Sequence, residues 1–419
     1  MRQLLFAICA LTALTALTAL ACARTPNRPA PVSARSTTIP AVTPHALRVY
    51  REAFVIDMHN DMPSRILDDG YDPDVRHAPG FGPREGHTDL PRLVESGITA
   101  QFMSAWVASS YAATPGASFD RAMRQVATIR AWVDRHPDRL RFATTAADVR
   151  RAKQEGKVAI LIGVEGGHAI ESSLERLRDL HARGVRYLTL TWNNGLPWAG
   201  SAMGEGGSRT GGLTDFGREV VREMNRLGML VDISHVSDST FYDAIAASSA
   251  PVIASHSSAR ALAGSPRNLT DEQLRAVART GGVVNVNFFS RFLDDEYRAR
   301  AEASEARIAA ARASPDSAAT ARAATLRDSL FAAIPQTPFG VRIDHIDHVA
   351  RVAGIDHVGL GSDFDGVSAL PLGMEDVTRL PRIAQALLDR GWSEDDVKKV
   401  LGGNMLRVMG RVLDGAAAR

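Results

Sequence analysis

The sequence contains few cysteines and almost no excess of charge of either sign. Its two cysteines are Cys9 and Cys22, and Cys9 lies in an N-terminal segment that we expect to be removed, so the mature chain has no internal disulfide. The 49 basic and 47 acidic residues leave a formal net charge of +2. No basic stripe interleaved with aromatic residues is present, so a nucleic-acid partner is not expected. The 45% of hydrophobic and 23% of charged residues are typical of a soluble globular protein.

A long apolar run occupies the N-terminus. Arg2 precedes the run Leu4–Leu20, which is broken only by small Thr and Ala residues. This pattern predicts an export signal over residues 1–22. A membrane-spanning anchor is the alternative, although the run is short and rich in threonine. Residues 23–44, rich in Pro, Thr, Ser and Ala, cannot bury a core and predict a flexible linker.

The expected signal ends in a sequence that resembles a bacterial lipoprotein box. In Ala19-Leu20-Ala21-Cys22 the cysteine would become the lipidated first residue after cleavage, whereas ordinary cleavage near Cys22 is the alternative. A lone cysteine at the cleavage point is explained more simply as a lipid site than as a free thiol. We therefore expect an exported protein that is either periplasmic or anchored to the membrane through Cys22.

From residue 45 onward, short apolar runs alternate with longer helical patterns, which is typical of parallel βα units. Eight runs have the character of strands: Phe54–Met58, Ile98–Trp106, Val158–Val164, Tyr187–Thr191, Met229–Ile233, Val252–Ala254, Val283–Phe288 and His357–Gly361. Eight strands close a barrel, so the sequence predicts a TIM-type (β/α)8 barrel over residues 45–415. An open doubly wound sheet is the alternative, and the lack of a Gly-rich dinucleotide turn after the first run weakens it.

Residues 291–335 depart from this rhythm. They are dense in Ala, Arg and Glu, and Pro315 interrupts them near the middle. The segment predicts a helical hairpin inserted after the seventh predicted strand. We favour a solvated excursion over a lid, although the segment would leave the barrel on its catalytic face.

Acidic residues and histidines follow five of the predicted strands. They are His59 and Asp61 after the first, Glu165 and His168 after the third, Asp232 and His235 after the fifth, His256 after the sixth, and Asp363 and Asp365 after the eighth. Because the carboxyl ends of barrel strands converge on one face, these side chains are expected to meet. Imidazoles together with carboxylates suit zinc better than calcium or magnesium.

The number of candidate ligands favours two metal ions. A single zinc ion needs about three protein ligands. The candidates here are His59, Asp61, Glu165, His235 and His256, with Asp363 to spare. Glu165 can bridge two ions through its two oxygens, with the pair from the first strand on one ion and the two later histidines on the other. Two such ions can hold a hydroxide between them and polarise a carbonyl.

Five segments closely resemble the membrane dipeptidase (renal dipeptidase) family. They are Val55-Ile56-Asp57-Met58-His59-Asn60-Asp61, Gly163-Val164-Glu165-Gly166-Gly167-His168, Asp232-Ile233-Ser234-His235, Ser265-Pro266-Arg267-Asn268 and Gly361-Ser362-Asp363-Phe364-Asp365-Gly366. The similarity is ordered along the chain and covers roughly residues 47–412. In combination these motifs are highly specific.

The resemblance implies a barrel of the metal-dependent hydrolase kind and a zinc-dependent dipeptidase that acts on small dipeptides through a metal-bridging hydroxide. It makes Glu165 the bridging ligand and Asp363 the general acid/base. Arg267 would pair with the terminal carboxylate of the substrate, a task suited to a bidentate guanidinium. It also suggests a homodimer. His168, Asp232 and Asp365 are expected to support the ligands, and His345, His348 and His357 to have surface or packing roles.

One position departs from the family. Its kidney-type members carry a histidine after the fourth strand that contacts the substrate carbonyl, and Trp192 stands there in this sequence. An indole donates one hydrogen bond and cannot titrate. Asn193, Asn194 or the metal alone would then polarise the carbonyl, and we expect Trp192 and Asn193 to contact substrate. The alternatives are an N-acyl-amino-acid deacylase on the same metal site and a lipid-anchored binding protein without catalysis.

Overall fold

The structure, a computed structural model, describes residues 37–82, 84–204, 211–313 and 319–415. The expected signal at 1–22 with its lipid site Cys22, residues 23–36 of the expected linker, and Pro315 lie outside these residues. Within the described ranges, no helix is both long enough and apolar enough to cross a membrane.

Nine parallel strands are found in the described residues. They are β1 (Ile56–Asp57), β2 (Ala100–Trp106), β3 (Leu140–Phe142), β4 (Val158–Glu165), β5 (Val185–Thr189), β6 (Leu230–Asp232), β7 (Ile253–Ala254), β8 (Val283–Val286) and β9 (Val358–Leu360). Eight of them close into a barrel, because β1 pairs with both β2 and β9 and β2 also pairs with β4. These eight coincide with the eight predicted strands, so the (β/α)8 barrel is confirmed.

The short strand β3 is absent from the prediction. It pairs with the first half of β4, and β5 pairs with the second half after a register shift between Ile162 and Gly163. Only Leu140 of its three residues is buried. With Arg141 at its centre, β3 lacks the apolar run by which the other strands are recognised.

Helices follow the strands and surround the barrel. They are α1 (Pro44–Glu52), α2 (Met62–Asp68), α3 (Leu90–Ser96), α4 (Ala117–Arg135), α5 (Ala146–Gln154), α6 (Leu174–Ala182), α7 (Asp215–Leu227), α8 (Asp238–Ala247), α9 (Asp271–Arg279), α10 (Ser290–Leu293), α11 (Asp295–Arg312), α12 (Ala319–Ala332), α13 (Phe339–Ala353), α14 (Pro381–Asp389), α15 (Glu394–Lys398) and α16 (Asn404–Met409). Local signals set several boundaries. Thr145 and Thr270 open α5 and α9 with capping boxes, and Gly228, at a φ of 72°, ends α7.

The insertion after the seventh barrel strand is helical, as predicted. It consists of α10, α11 and α12, and α11 and α12 pack against each other. Tyr297, Ala301 and Ile334, all in the insertion, form a small apolar cluster, and Ala369 from outside the insertion packs against it. The insertion therefore has a core of its own beside the barrel.

Successive residues along the strands belong alternately to two apolar clusters. Phe102 of β2 and Leu161 of β4 belong to a cluster that includes Met405 of α16. Their neighbours Met103 and Ile162 belong to the larger cluster packed under the surrounding helices. This division follows from the two-residue period of a strand, which sends successive side chains to opposite faces.

Candidate metal centre and active site

The carboxyl ends of the barrel strands bring the predicted site residues together. His59 and Asp61 follow β1, Glu165 ends β4, His235 follows β6, His256 follows β7 and Asp363 follows β9. All six side chains are buried. A cavity of about 340 Å³ opens over them, and all of them except His59 contribute to its wall. The five strand ends named from the sequence thus meet at one place.

Glu165 lies at the centre of the histidines. Its Oε2 is 3.3 Å from His59 Nε2, whereas its Oε1 is 2.8 Å from His235 Nε2 and 3.5 Å from His256 Nε2. Asp61 Oδ2 lies 3.3 Å from His59 Nε2. Each carboxylate oxygen of Glu165 therefore faces a different group of imidazoles, which is the arrangement that a bridging ligand requires.

The chemistry of this cluster fits divalent metal ions. His59 Nε2 and Asp61 Oδ1 are buried and have no hydrogen-bond partner among the described residues, and leaving such an atom unpaired costs about 1–3 kcal/mol. Two sets have ligand atoms within 4.8 Å of one another, namely His59, Glu165 and His256, and His59, Asp61 and Asp363. His59 belongs to both sets. The second set adds Asp363 to the predicted pair of His59 and Asp61. Imidazole nitrogens with carboxylate oxygens form a donor set typical of zinc.

Partners outside the cluster hold two of the histidines. His59 Nδ1 lies 2.9 Å from the Tyr187 hydroxyl, and His235 Nδ1 donates to Asn193 Oδ1 at 3.2 Å. Both rings turn Nε2 towards Glu165, and at His235 donation by Nδ1 leaves Nε2 unprotonated, as a metal needs. Asn193, expected at the substrate, thus has its amide oxygen engaged with a candidate ligand.

The third histidine is held by a buried relay. Ser255 Oγ lies 2.8 Å from His256 Nδ1 and donates to Asp232 Oδ2 at 2.6 Å. Asp232 also accepts from the backbone N–H groups of Ser234 and Ser255 through Oδ1. The supporting role expected of Asp232 therefore reaches His256 through Ser255. Neither Ser255 nor Tyr187 is among the predicted site residues.

Asp57, two residues before His59, connects the first and last strands of the barrel. Its carboxylate accepts from the backbone N–H of Ser362 at 2.7 Å, from the Ser362 hydroxyl at 2.6 Å and from Gln101 Nε2 at 2.9 Å. Asp57 and Ser362 both occur in the quoted motifs, but no role was predicted for them. Together they fix the loop that carries Asp363 against the loop that carries His59.

Asp363 occupies a strained and crowded position. Its φ is 64°, in the left-handed region, where His235 and Asp365 also lie, and such conformations concentrate at functional sites. A Cβ at Gly366 would approach Asp363 Oδ1 to 2.8 Å and Asp61 Oδ2 to 2.1 Å, so only glycine fits there. Burial raises the pKa of Asp363 to about 7, which suits a group that exchanges protons near neutrality.

Arg267 lies behind the cavity beside His256. Its side chain is buried, and Nη2 donates to the His256 carbonyl oxygen at 3.3 Å. Nε and Nη1 have no partner within the described part of the chain, and the guanidinium packs 5.3 Å from the centre of the Phe292 ring. Burial lowers the pKa of Arg267 to about 10, so the charge persists at neutral pH and is available to an anionic group.

Aromatic side chains form two parts of the cavity wall. Trp192 is half-buried and packs edge-on against Trp106 with ring centres 5.2 Å apart, and its ring centre is 6.4 Å from that of His235. Phe289 and Phe292, which follow β8, line another part. Phe292 belongs to α10, so the first helix of the insertion borders the cavity, whereas none of the described side chains of α11 or α12 lines it. The long helices therefore fit the solvated excursion, while α10 does not.

The remaining predicted histidines make contacts away from the candidate ligands. His168 Nε2 donates to the Val107 carbonyl oxygen at 2.9 Å. His345 is fully buried between the Ala259 N–H and the Leu293 carbonyl oxygen. His348 pairs with Asp271, and His357 Nδ1 donates to the Gly282 carbonyl oxygen. The contacts of His345, His348 and His357 are of the predicted packing kind. His168 makes no hydrogen bond to a candidate ligand among the described residues, and its expected supporting role stays a prediction.

Comparison with known proteins identifies the family. Residues 44–418 match the model of the membrane dipeptidase family, peptidase family M19. The probable dipeptidase PvdM from Pseudomonas aeruginosa is similar, with a TM-score of 0.76 and 25% identity over 88% of this chain and 98% of that one. A metallo peptidase from Rhodobacter sphaeroides, liganded with a phosphinate mimic of the dipeptide L-Ala-D-Ala, has a TM-score of 0.69 and 29% identity over 86% of this chain and 99% of that one. The dipeptidase AC, a metallo peptidase of family M19, has a TM-score of 0.69 and 30% identity over 86% of this chain and 98% of that one. With its fold and its five converging strand ends, the chain belongs to the membrane dipeptidase family of metallopeptidases.

Proposed function

We propose that this protein is a dipeptidase with two zinc ions that hydrolyses the peptide bond of small dipeptides. The observation that carries the proposal is the position of Glu165, whose two oxygens face separate groups of imidazole nitrogens at the base of a cavity. The rhodobacterial relative that binds a dipeptide mimic supports the substrate class.

Glu165 would contribute to both metal sites. His59 and Asp61 would complete the first, and His235 and His256 the second. Bound zinc would lower the pKa of the attacking water and polarise the scissile carbonyl. Tyr187, Asn193 and Ser255 would keep the three imidazoles in the orientation that binding needs.

Asp363 would move the proton during the reaction. Its carboxylate takes a proton from the attacking water and delivers it to the amine nitrogen that leaves when the C–N bond breaks. Burial raises the pKa of this carboxyl above its usual range, which would help Asp363 to hold the proton between the two steps. Its ligand atom lies within 4.8 Å of those of His59 and Asp61.

Arg267 and Trp192 would select the substrate. The buried guanidinium of Arg267, with Nε and Nη1 unpaired among the described residues, would offer its charge to a terminal carboxylate, which favours dipeptides over proteins. Trp192 offers an apolar contact in the cavity wall. Asn193 would orient His235 through its amide oxygen, while its Nδ2–H group, on a residue that lines the cavity, would help the metal to polarise the carbonyl.

We infer further that the chain is exported, carries a lipid on Cys22 and forms a homodimer. The lipoprotein-like sequence around Cys22 supports the anchor. Mass spectrometry of the mature N-terminus tests it, with Cys22→Ser expected to release the protein from the membrane fraction. Size-exclusion chromatography with light scattering tests the dimer, and a monomeric mass at working concentrations would contradict it.

A substrate panel with quantified zinc tests the function. Purified protein should contain two zinc ions per chain, lose turnover on chelation, regain it with zinc and hydrolyse free dipeptides. Turnover of N-acylated amino acids without turnover of dipeptides would replace the proposal with a deacylase. Zinc-loaded protein without turnover of any amide would indicate a binding protein.

A further inference from the structure

A short segment after β8 holds the loop that carries Asp363. Asn287 is fully buried, and its Nδ2 donates to Asp363 Oδ2 at 2.8 Å. At the other end of the same amide, Oδ1 accepts from the backbone N–H of Phe289 at 2.5 Å. The amide is therefore fixed at both ends, with its donor directed at one oxygen of the carboxylate.

This contact decides which carboxylate oxygen is free. Oδ2 of Asp363 is engaged by Asn287, whereas Oδ1 lies on the side of Gly366 and Asp61. Asn287 is the only donor recorded for the Asp363 side chain among the described residues. Without it, no hydrogen bond from the described residues would hold the Asp363 carboxylate in this orientation.

The neighbouring aromatic residue supports the backbone of the same loop. Phe288 packs edge-on against Phe364, with ring centres 5.7 Å apart. Phe364 is fully buried and separates two residues in the left-handed conformation, Asp363 and Asp365. The guanidinium of Arg342 lies over the Phe288 ring, 4.3 Å from its centre. The segment at 287–288 thus contacts both the side chain of Asp363 and the residue that follows it.

We propose that Asn287 is a positioning residue that orients the Asp363 carboxyl for proton transfer. This inference rests on the proposed role of Asp363 in amide hydrolysis, but not on the choice between dipeptides and acylated amino acids. Proton transfer requires a carboxylate oxygen within hydrogen-bond reach of the group that gives or receives the proton. A misplacement of about 1 Å can reduce a rate by roughly a hundredfold, so a free rotor at this position would slow the reaction.

The chain supplies a matched control in Asn285. It is equally buried, lies two residues earlier and so points to the same side of the strand. Its Nδ2 donates to the Ala254 carbonyl oxygen at 2.8 Å rather than to Asp363. Asn285→Ala removes the same atoms from a position deeper in the barrel, without touching the proposed acid/base.

The experiment compares Asn287→Ala, Asn287→Asp and Asn285→Ala with the wild type as zinc-loaded full-length proteins, on whichever amide the wild type hydrolyses. Zinc content, thermal unfolding, kcat and KM are measured for each. Asn287→Ala should retain two zinc ions and a KM within about threefold of wild type, while kcat falls roughly ten- to hundredfold. Asn287→Asp keeps the shape but replaces the donor by an oxygen, and it should lose kcat to at least the same extent. Asn285→Ala should lower the unfolding temperature and leave kcat within about threefold.

Two results would overturn the inference. One is a kcat for both Asn287 variants that stays close to the Asn285→Ala value. The other is an Asn287→Asp variant with wild-type kcat, since that would show that only the shape matters. If Asn287→Ala fails to fold, the Asp variant alone decides. A wild type that hydrolyses acylated amino acids but no dipeptide would refute the proposed substrate and leave the test of Asn287 intact.

Discussion

The mouth of the barrel and its interior differ in the kind of side chain that each buries. At the mouth, His59 Nε2, Asp61 Oδ1 and two nitrogens of Arg267 have no hydrogen-bond partner among the described residues. Below it, apolar side chains such as Phe102 and Met405 are fully buried against one another. The interior contributes folding free energy through burial, whereas the mouth leaves polar atoms available for metal and substrate. Variants at the two places should therefore affect different measurements.

The largest effect is expected from Asp363→Asn. The amide cannot take up the proton from water, so kcat should fall by about 10²–10⁴-fold. Because the metal ligands proposed above remain, zinc content should stay at two per chain by elemental analysis. Wild-type turnover in a zinc-loaded Asp363→Asn protein would remove Asp363 from the mechanism.

Arg267→Met comes next. A charge-assisted hydrogen bond contributes about 1.5–3 kcal/mol, so kcat/KM for free dipeptides should fall roughly ten- to hundredfold. Dipeptides with an amidated C-terminus provide the control, because they have no carboxylate for the guanidinium to hold. An equal loss on both substrate classes would mean that Arg267 stabilises the fold around His256 and does not bind substrate.

Trp192→His should have a smaller and more selective effect. Loss of an aromatic contact worth about 0.5–1.5 kcal/mol should raise KM roughly two- to tenfold for dipeptides with aromatic side chains. Glycylglycine, which has no side chain to lose contact, should keep its KM. A uniform change across the panel would show that Trp192 does not face substrate side chains.

Met405→Ala should leave the chemistry unchanged while weakening the fold. Met405 is fully buried in the interior cluster, and its truncation should cost about 2–5 kcal/mol of unfolding free energy. Chemical denaturation followed by circular dichroism measures the loss. Turnover per folded molecule and zinc content should equal those of the wild type. A parallel fall in both would show that packing in the interior controls the site at the mouth.

The strands and the candidate ligands could be predicted because short segments of sequence identify both. His59 and Asp61 follow an apolar run directly, so the fold class is enough to place them. Asn287 and Tyr187 could not be found in this way, because their contacts join residues 76 and 128 positions apart in the chain. Such contacts depend on which strands are neighbours and on how they are aligned.

Asn193 shows a second limit of the sequence. Its place after the fourth predicted strand suggested a contact with substrate, and its side chain does line the cavity. The sequence could not show that its amide oxygen would also hold His235. The strand β3 was missed for a different reason, since Arg141 interrupts a segment of only three residues.

Tyr187 connects the interior of the barrel with the metal cluster at its mouth. Its ring belongs to the interior cluster and fills the space left by Gly163, where a Cβ would come within 1.9 Å of it. Its hydroxyl lies against His59. On the proposed function, residues beneath the cavity that substrate never touches would tune zinc affinity, while the aromatic wall above would change which dipeptides enter. Metal retention and substrate range would then be independently adjustable.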